Sequence, residues 1–299
     1  MSRVILADGR GARDPPSRHA VAIVVAMTVR HRRVMEVAAG GGVTWRSDDV
    51  STEEPLEIRV GDVSLSVTMR TPGDDFDLVA GFLITEGIVR GAGEIAGMRM
   101  CPDAAAATGE LNVVEVTLSD AAASRDMTPR AFYMTSSCGM CGKASIEAVR
   151  TRSAYDVAGD PLRVSPELLL GLPTIQRSAQ RQFSRTGGLH AAALFDRAGG
   201  LLCLREDVGR HNAFDKVIGW AATQGRLPLR SHIILASGRA SFELTQKSLM
   251  AGIPLLAAVS APSSLAVELA ADSGMTLIGF LRGEHMNVYA GHERILRDA

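Results

Sequence analysis

Cysteine is scarce in this chain. There are four in 299 residues, at positions 101, 138, 141 and 203. That is too few for a disulfide scaffold and points to a reducing compartment. Lysine is scarcer still, at 143, 216 and 247 only, so the basic charge is almost all arginine. No apolar run approaches the roughly 20 residues a membrane helix needs. The short run from Ala20 to Met27 follows a polar segment and lacks a convincing cleavage site for a signal peptide. Net charge is −1, so no global basic excess directs the chain to nucleic acid or to a membrane surface. The expectation is a cytoplasmic protein with neither as partner. What is present is a 46% hydrophobic composition, ordinary for a globular protein, in a chain long enough for two domains.

Residues 1–50 read as a flexible segment. Gly9, Gly11, Pro15 and Pro16 cannot hold a helix, and Gly40, Gly41 and Gly42 mark a joint. A start at Met27 would make the upstream stretch extraneous. Confident patterning begins near Glu54. Ile58 and Val60, then Val63, Leu65, Val67 and Met69, alternate around Gly61 and Asp62, the pattern of a β-hairpin. Asp74 or Asp75 can cap a helix carrying Phe76, Val79, Ala80 and Leu83. Strands follow at 111–118 and 131–135, which closes a small α+β domain over 51–135. A loop at 136–142 leads into an α/β domain over 143–299. Helices are predicted there at 143–151, 166–180, 211–224, 240–251 and 263–273. Strands are predicted at 190–195, 201–204, 232–236, 255–259 and 276–281. From 232 onward, strand and helix alternate, and the strands are apolar on both faces, as covered parallel strands are.

The loop Ser136–Gly142 holds two of the four cysteines, Cys138 and Cys141, spaced C-x-x-C among small residues. A thiolate there can attack a sulfur, carry one as a persulfide or bind a soft metal. A zinc set with His190 and His211 has the wrong spacing, and a zinc deaminase would need a glutamate two residues after its first ligand and ahead of the cysteines. A thioredoxin-like motif would stand early in a small domain, whereas half of this chain precedes Cys138. Cys203 sits in an apolar strand and reads as packing; Cys101 receives no role.

Ligands of layered sheets bind beyond the carboxyl ends of the strands. Those ends are Ser237–Arg239, Ser260–Ser264 and Arg282–His285, and the first two run into helix N-termini that can cradle an anion. Ser and Gly there also serve as plain caps. A second polar cluster joins His190 to Glu206, Asp207, Arg210, His211 and Asn212, with Asp215 and Lys216 beyond. It reads equally well as a salt-bridged helix start and as a site where Arg210 meets a phosphate.

Nine blocks in order carry a family resemblance. They are Glu53–Ile58, Met69–Asp75, Ala80–Gly87, Ser137–Gly142, Thr186–Ala192, Glu206–Lys216, Ser237–Ser248, Val259–Ala261 and Gly279–Tyr289. Together, over about 50–292, they resemble the formate dehydrogenase accessory sulfurtransferase family, FdhD/NarQ. The resemblance implies a cytidine-deaminase-like layered α/β/α C-terminal domain without zinc chemistry, behind a smaller N-terminal α+β domain. It implies a sulfurtransferase that takes sulfur from a cysteine desulfurase as a persulfide on Cys138, with Cys141 as its partner. The sulfur then passes to the molybdenum cofactor, bis-molybdopterin guanine dinucleotide, before insertion into formate dehydrogenase. It further implies a homodimer, no metal of the protein's own, and a cofactor-binding loop at Phe280, Leu281, Arg282, Gly283, Glu284 and His285. Glu284 makes that loop less basic than the family pattern leads one to expect.

Overall fold

The computed structural model describes residues 28–101, 112–123 and 153–296. The expected strand at 131–135, the cysteine loop and the helix at 143–151 lie outside the described residues.

The N-terminal part holds two sheets. β1 (Val29–Val37) and β2 (Val43–Ser51) pair antiparallel from Val29↔Ser51 to Val37↔Val43 as a two-stranded ribbon. This corrects the flexible reading of 1–50 over the part that is described; residues 1–27 lie outside the described residues. Gly40 and Gly41, taken as a joint, are the turn of a hairpin, with φ of 108° and 87°. The four-stranded sheet has the order β4-β3-β6-β5, from β3 (Glu54–Val60), β4 (Val63–Arg70), β5 (Ile95–Met100) and β6 (Val113–Leu118). The β3–β4 hairpin turns at Gly61, as its alternation predicts. α1 (Asp75–Thr85) follows β4. Asp74 stands at its N-cap, but in the left-handed region and without a side-chain cap bond. A short helix, α2 (Asp120–Ala123), follows β6.

The second sheet has six strands in the order β12-β11-β10-β9-β7-β8. β9 (Ile233–Ala236), β10 (Leu255–Ala258) and β11 (Thr276–Arg282) run parallel. β7 (His190–Phe195) and β8 (Leu201–Asp207) are added antiparallel at one side and β12 (His285–Ala290) at the other. The helices are α3 (Pro166–Ala179), α4 (Arg181–Thr186), α5 (Arg210–Thr223), α6 (Phe242–Met250) and α7 (Ser264–Asp272). Ser165 caps α3 as expected, accepting from the Leu168 N–H at 3.3 Å ahead of Pro166. Successive residues of the central strands enter opposite cores. Leu194, Ile234, Leu256 and Leu277 face α5, α6 and α7 in one cluster, while Phe195, Ile233, Leu255 and Ile278 face α3 in the other. This gives an α/β protein with helices on both faces of the larger sheet. The first cluster runs on without a break into Leu56, Ile58, Leu78 and Leu83, so the two sheets share one core. Among the described residues no helix is long and apolar enough to cross a membrane.

The joint between the two parts is the crossing of α1 over α5. A Cβ at Gly81 would lie 1.9 Å from the backbone oxygen of Asp215, and one at Gly219 would lie 1.8 Å from that of Asp77. Only hydrogen at both positions permits this approach, and backbone cannot retreat as a flexible side chain can. Gly81→Ala or Gly219→Ala should therefore each lower unfolding free energy by about 3 kcal/mol or more. Denaturant titration of the two variants checks this, with exposed Gly93→Ala, whose Cβ would meet nothing within 4 Å, as the control.

Candidate functional site

Because β9, β10 and β11 are parallel, their carboxyl ends share one edge of the sheet. β7 runs antiparallel to β9, which brings its first residue, His190, to the same edge. β8, paired with β7, brings its last, Asp207. The strand-end group and the polar cluster of the sequence reading are thus one place. Backbone bonds lock the loops together: the Phe280 N–H donates to Ser260 O at 3.1 Å, the Ser263 N–H to Ala240 O at 3.0 Å, and the Ala191 N–H to Ser237 Oγ at 2.8 Å.

Within the cluster most polar residues are structural. The Glu206 carboxylate accepts from the Gln182 and Phe183 N–H groups at 2.9 and 2.7 Å, at the start of α4. Asp207 is wholly buried. It accepts from Lys216 at 2.8 Å, from the Thr71 and Gly209 N–H groups, and from Asn212 Nδ2. Asn212 also donates to Met69 O at 2.7 Å. A second buried pair is made by Asp215, the residue of α5 next to Lys216, with Lys247 of α6. Lys247 donates to Asp215 at 2.9 Å, to Glu86 at 3.1 Å and to Thr85 Oγ1 at 2.9 Å. Burial pushes the Asp215 carboxyl up to about 6, against the pull of Lys247. Burial alone would lower the Lys247 ammonium, but Asp215 and Glu86 outweigh it and leave it raised. Nothing in the spacing of the sequence announced this second pair. The rarity of lysine was the available signal, since two of the three are buried cations.

What remains is two arginines and one carboxylate, Glu243, whose Oε2 lies 3.9 Å from His211 Nε2. Among the described residues neither Arg210 nor Arg239 makes a hydrogen bond or ion pair, and Arg210 Nε is buried without a partner. They sit at the starts of α5 and α6, whose N-caps, Gly209 and Ser241, supply no side-chain cap bond. Ser263, by contrast, caps α7, accepting from the Ala266 N–H at 3.3 Å. The N-cap side chains leave both N-termini open, but Asp207 accepts from the Gly209 N–H at 2.8 Å and Glu243 stands in the first turn of α6, with Arg210 and Arg239 beside them. His190 and His211 lie between. Burial and then Arg210 hold both imidazoles below their usual range, His211 down to about 4. Both are neutral at pH 7, and His211 Nε2 has no hydrogen-bond partner.

Two cavities flank the edge. One of about 430 Å³ runs from Gly209, His211 and Glu243 to Lys247 and is walled by Val67, Met69 and Phe82. The other, about 570 Å³, is bordered by Gln176, Arg177, Phe183, His190 and Ser237, with Arg177 stacked on the Phe183 ring at 4.3 Å.

The segment Phe280–His285 is not an open loop but the end of the β11–β12 hairpin, with Arg282 paired to His285 around Gly283 and Glu284. Phe280 takes a φ of 54°, a bulge that sets its N–H on Ser260. Leu281 is wholly buried in the α3-side core, which leaves only its backbone near the edge. Arg282, Gly283, Glu284 and His285 are exposed at the tip, and the Arg282 guanidinium lies 5.6 Å from the Phe280 ring. Cys138 and Cys141 lie outside the described residues. Cys203 is a buried packing residue whose thiol burial raises to about 12. Among the described residues no group of three or more His, Cys, Asp and Glu is placed to hold a metal ion.

The fold and edge define a layered α/β protein with arginines and histidines gathered at the carboxyl ends of its strands. The FdhD/NarQ family model matches residues 51–296, and the chain belongs to that family. It is 55% identical over 270 residues to the sulfur carrier protein FdhD of Streptomyces avermitilis, covering 89% of this chain and 96% of that one. It is 53% identical over 270 residues to the protein of that name from Mycobacterium tuberculosis, covering 89% and 98%. A crystal structure from Desulfotalea psychrophila, described as a formate dehydrogenase accessory protein, is similar in fold with a TM-score of 0.70. It is 25% identical and covers 90% of this chain and all of that one.

The depressed pKa of His211 predicts an acid-labile site. Its unfolded value is 6.5 and its folded value about 4. Its contribution to stability is complete above pH 6.5 and is lost as pH falls through 4. Asp215, raised to about 6, acts in the opposite sense and is common to both proteins, so the difference between wild type and His211→Gln reads the histidine together with Glu243, its neighbour at 3.9 Å. Between pH 7 and pH 4 the wild type should lose about 3 kcal/mol more than the variant, as read by urea unfolding across that range.

Proposed function

We propose that this chain is a sulfur carrier serving the maturation of formate dehydrogenase. The observation that carries the reading is the family match over 51–296, which includes Cys138-x-x-Cys141, together with relatives 45–55% identical that bear the name sulfur carrier protein. The gathering of Arg210 and Arg239 at the carboxyl edge of the larger sheet supports it, since guanidinium groups suit an anionic substrate.

In the fuller form of the proposal, the Cys138 thiolate attacks the outer sulfur of a cysteine desulfurase persulfide. The S–S bond of the donor breaks, its cysteine thiolate leaves, and Cys138 holds the sulfur as a persulfide. Attack of Cys141 on the inner sulfur then forms a Cys138–Cys141 disulfide and expels HS⁻ toward the molybdenum of the bis-molybdopterin guanine dinucleotide substrate. A reductant restores the dithiol. The phosphates of that substrate suit Arg210, Arg239 and the α5 and α6 N-termini, with the Arg282–His285 tip beside them. The neutral His190 and His211 add hydrogen bonds without further charge. The protein acts in the cytoplasm as a homodimer.

Incubation with a cysteine desulfurase and labelled cysteine, followed by intact mass under non-reducing conditions, tests the sulfur step. Wild type should gain one sulfur mass, and Cys138→Ala should gain none. A wild type that gains nothing beside an active desulfurase would turn the reading toward a cofactor-holding chaperone. The anion site is tested separately with a guanine nucleotide as probe. Arg210→Ala and Arg239→Ala should each weaken binding by about 10-fold or more, with a salt-dependent loss measured by calorimetry.

A further inference from the structure

The cavity of about 430 Å³ beside His211 carries charge of the sign opposite to that of the arginines at the edge. Its lining holds Glu53, Glu86, Asp215 and Glu243 against Lys247, and neither Arg210 nor Arg239 belongs to it. Lys247 is spent on Asp215, Glu86 and Thr85 Oγ1, at 2.9 to 3.1 Å. Acceptor capacity is left over. Among the described residues Glu53 makes no hydrogen bond or ion pair, and Glu86 meets Lys247 through one oxygen. Glu243 has no closer ion pair than its 3.9 Å contact with His211, and Arg210 acts on it only from beyond ion-pair distance. Ile58, Leu78 and Phe82 form the apolar part of the lining. Open carboxylates over apolar walls suit a cation on an apolar stem and repel a phosphate. The volume falls within the roughly 300–1,000 Å³ of ordinary ligand pockets.

An unpaired sheet edge borders the same cavity. Among the described residues β4 has no strand on its outer side, and residues 66–69 of β4 line the cavity. Pro55, opposite Met69, has no N–H to offer β4, and Met69 O accepts from Asn212 Nδ2 at 2.7 Å. Met69 therefore turns its backbone groups outward. So does Val67, two residues away and 63% exposed. An extended chain can pair with such an edge. Its side chains then alternate between the two faces, and one of them is brought over the cavity.

We propose that the β4 edge and the carboxylate cavity together bind an extended segment of a partner polypeptide, with an arginine of that segment lodged among Glu53, Glu86 and Glu243. Arginine fits better than lysine, because a guanidinium spreads its donors in a plane and can serve several carboxylates at once. The Phe82 ring, with Lys247 Nζ 6.0 Å from its centre, already has a cation over it and adds aromatic surface for another. The occupant is a peptide rather than a free cation because the open edge offers backbone pairing that a small molecule cannot use. Gly209 and His211 line the cavity, so the segment is held next to Arg210 and the carboxyl edge of the larger sheet. The inference is independent of sulfur transfer.

A labelled nonapeptide of alternating threonine and valine with one central arginine, titrated with the full chain and read by fluorescence anisotropy, tests it. Wild type should bind with a dissociation constant on the order of 100 µM or tighter. Citrulline in place of the arginine keeps the shape and removes the charge, and it should weaken binding about 10-fold or more. Glu243→Gln and Glu53→Gln should each do the same to the arginine peptide. The losses should not add, so citrulline should cost little further in the Glu243→Gln protein. Val67→Pro removes one outward N–H from an edge strand and should weaken binding as well. An unchanged far-UV spectrum and melting temperature verify folding, and exposed Glu53 carries the charge test if Glu243→Gln does not fold. Overturning results are no binding at about 1 mM protein, an arginine peptide no tighter than its citrulline form, and folded carboxylate variants of unchanged affinity. Unchanged binding by folded Val67→Pro, or acetyl-arginine amide binding as tightly as the peptide, would mean a site for a free cation and would overturn the peptide.

Discussion

The close crossing of α1 and α5 at Gly81 and Gly219 is the constraint on which the rest of the molecule hangs. It brings two backbones to a distance that no side chain tolerates, and buried Lys–Asp pairs flank it. Lys216 joins Asp207, at the end of β8, to the carbonyl of Thr71, at the end of β4. Lys247 joins α6 to α1 and α5 through Asp215, Thr85 and Glu86. The two sheets are therefore fixed to each other by helix contact and by charge. Breaking one partner of such a pair would strand the other in the core, which costs far more than a surface bridge gives.

The same pairs explain why arginines stand out at the candidate site. Every carboxylate of the Glu206–Lys216 stretch is consumed: Glu206 by the start of α4, Asp207 by Lys216 and three further donors, and Asp215 by Lys247 and Thr85. Among the described residues Arg210 and Arg239 are left without a hydrogen-bond or ion-pair partner, near helix N-termini whose N-cap side chains make no cap bond. A net charge of only −1 thus conceals an uneven local distribution. Burial and the arginines keep His190 and His211 uncharged, so the site changes character only well below neutral pH.

The larger sheet was legible because its strands follow simple rules. His190–Phe195 was read to the residue, and the parallel strands stand out as short apolar runs between helices. The elements missed are those whose pattern is weak. β1 and β2 alternate charged residues with exposed apolar ones, since neither face is buried in the chain, and their glycine-rich turn reads as a linker. β12 was not among the strands read from the sequence, because this short edge strand HMNVYA is neither a buried apolar run nor a clean alternation. The Arg282–His285 tip was correctly separated from the core, but Leu281 was grouped with it. Only strand register shows that Leu281 points the other way.

Local sequence, by itself, determined the strand and helix periods of the larger sheet, the hairpin at Gly61 and the Ser165 cap. All are properties of short-range sterics and apolar spacing. Through nine ordered blocks it also determined the family. It could not decide which polar residues are structural, because a carboxylate that caps a helix and one that meets a substrate look alike until partners separated by more than a hundred residues, such as Thr71 and Asp207, are brought together. Tertiary structure alone decided that the strand ends and the His190–Asn212 cluster are one edge, since that depends on β7 and β8 running against their neighbours. It also decided that Gly81 and Gly219 meet, for a glycine's absent side chain has meaning only against the backbone that fills its place.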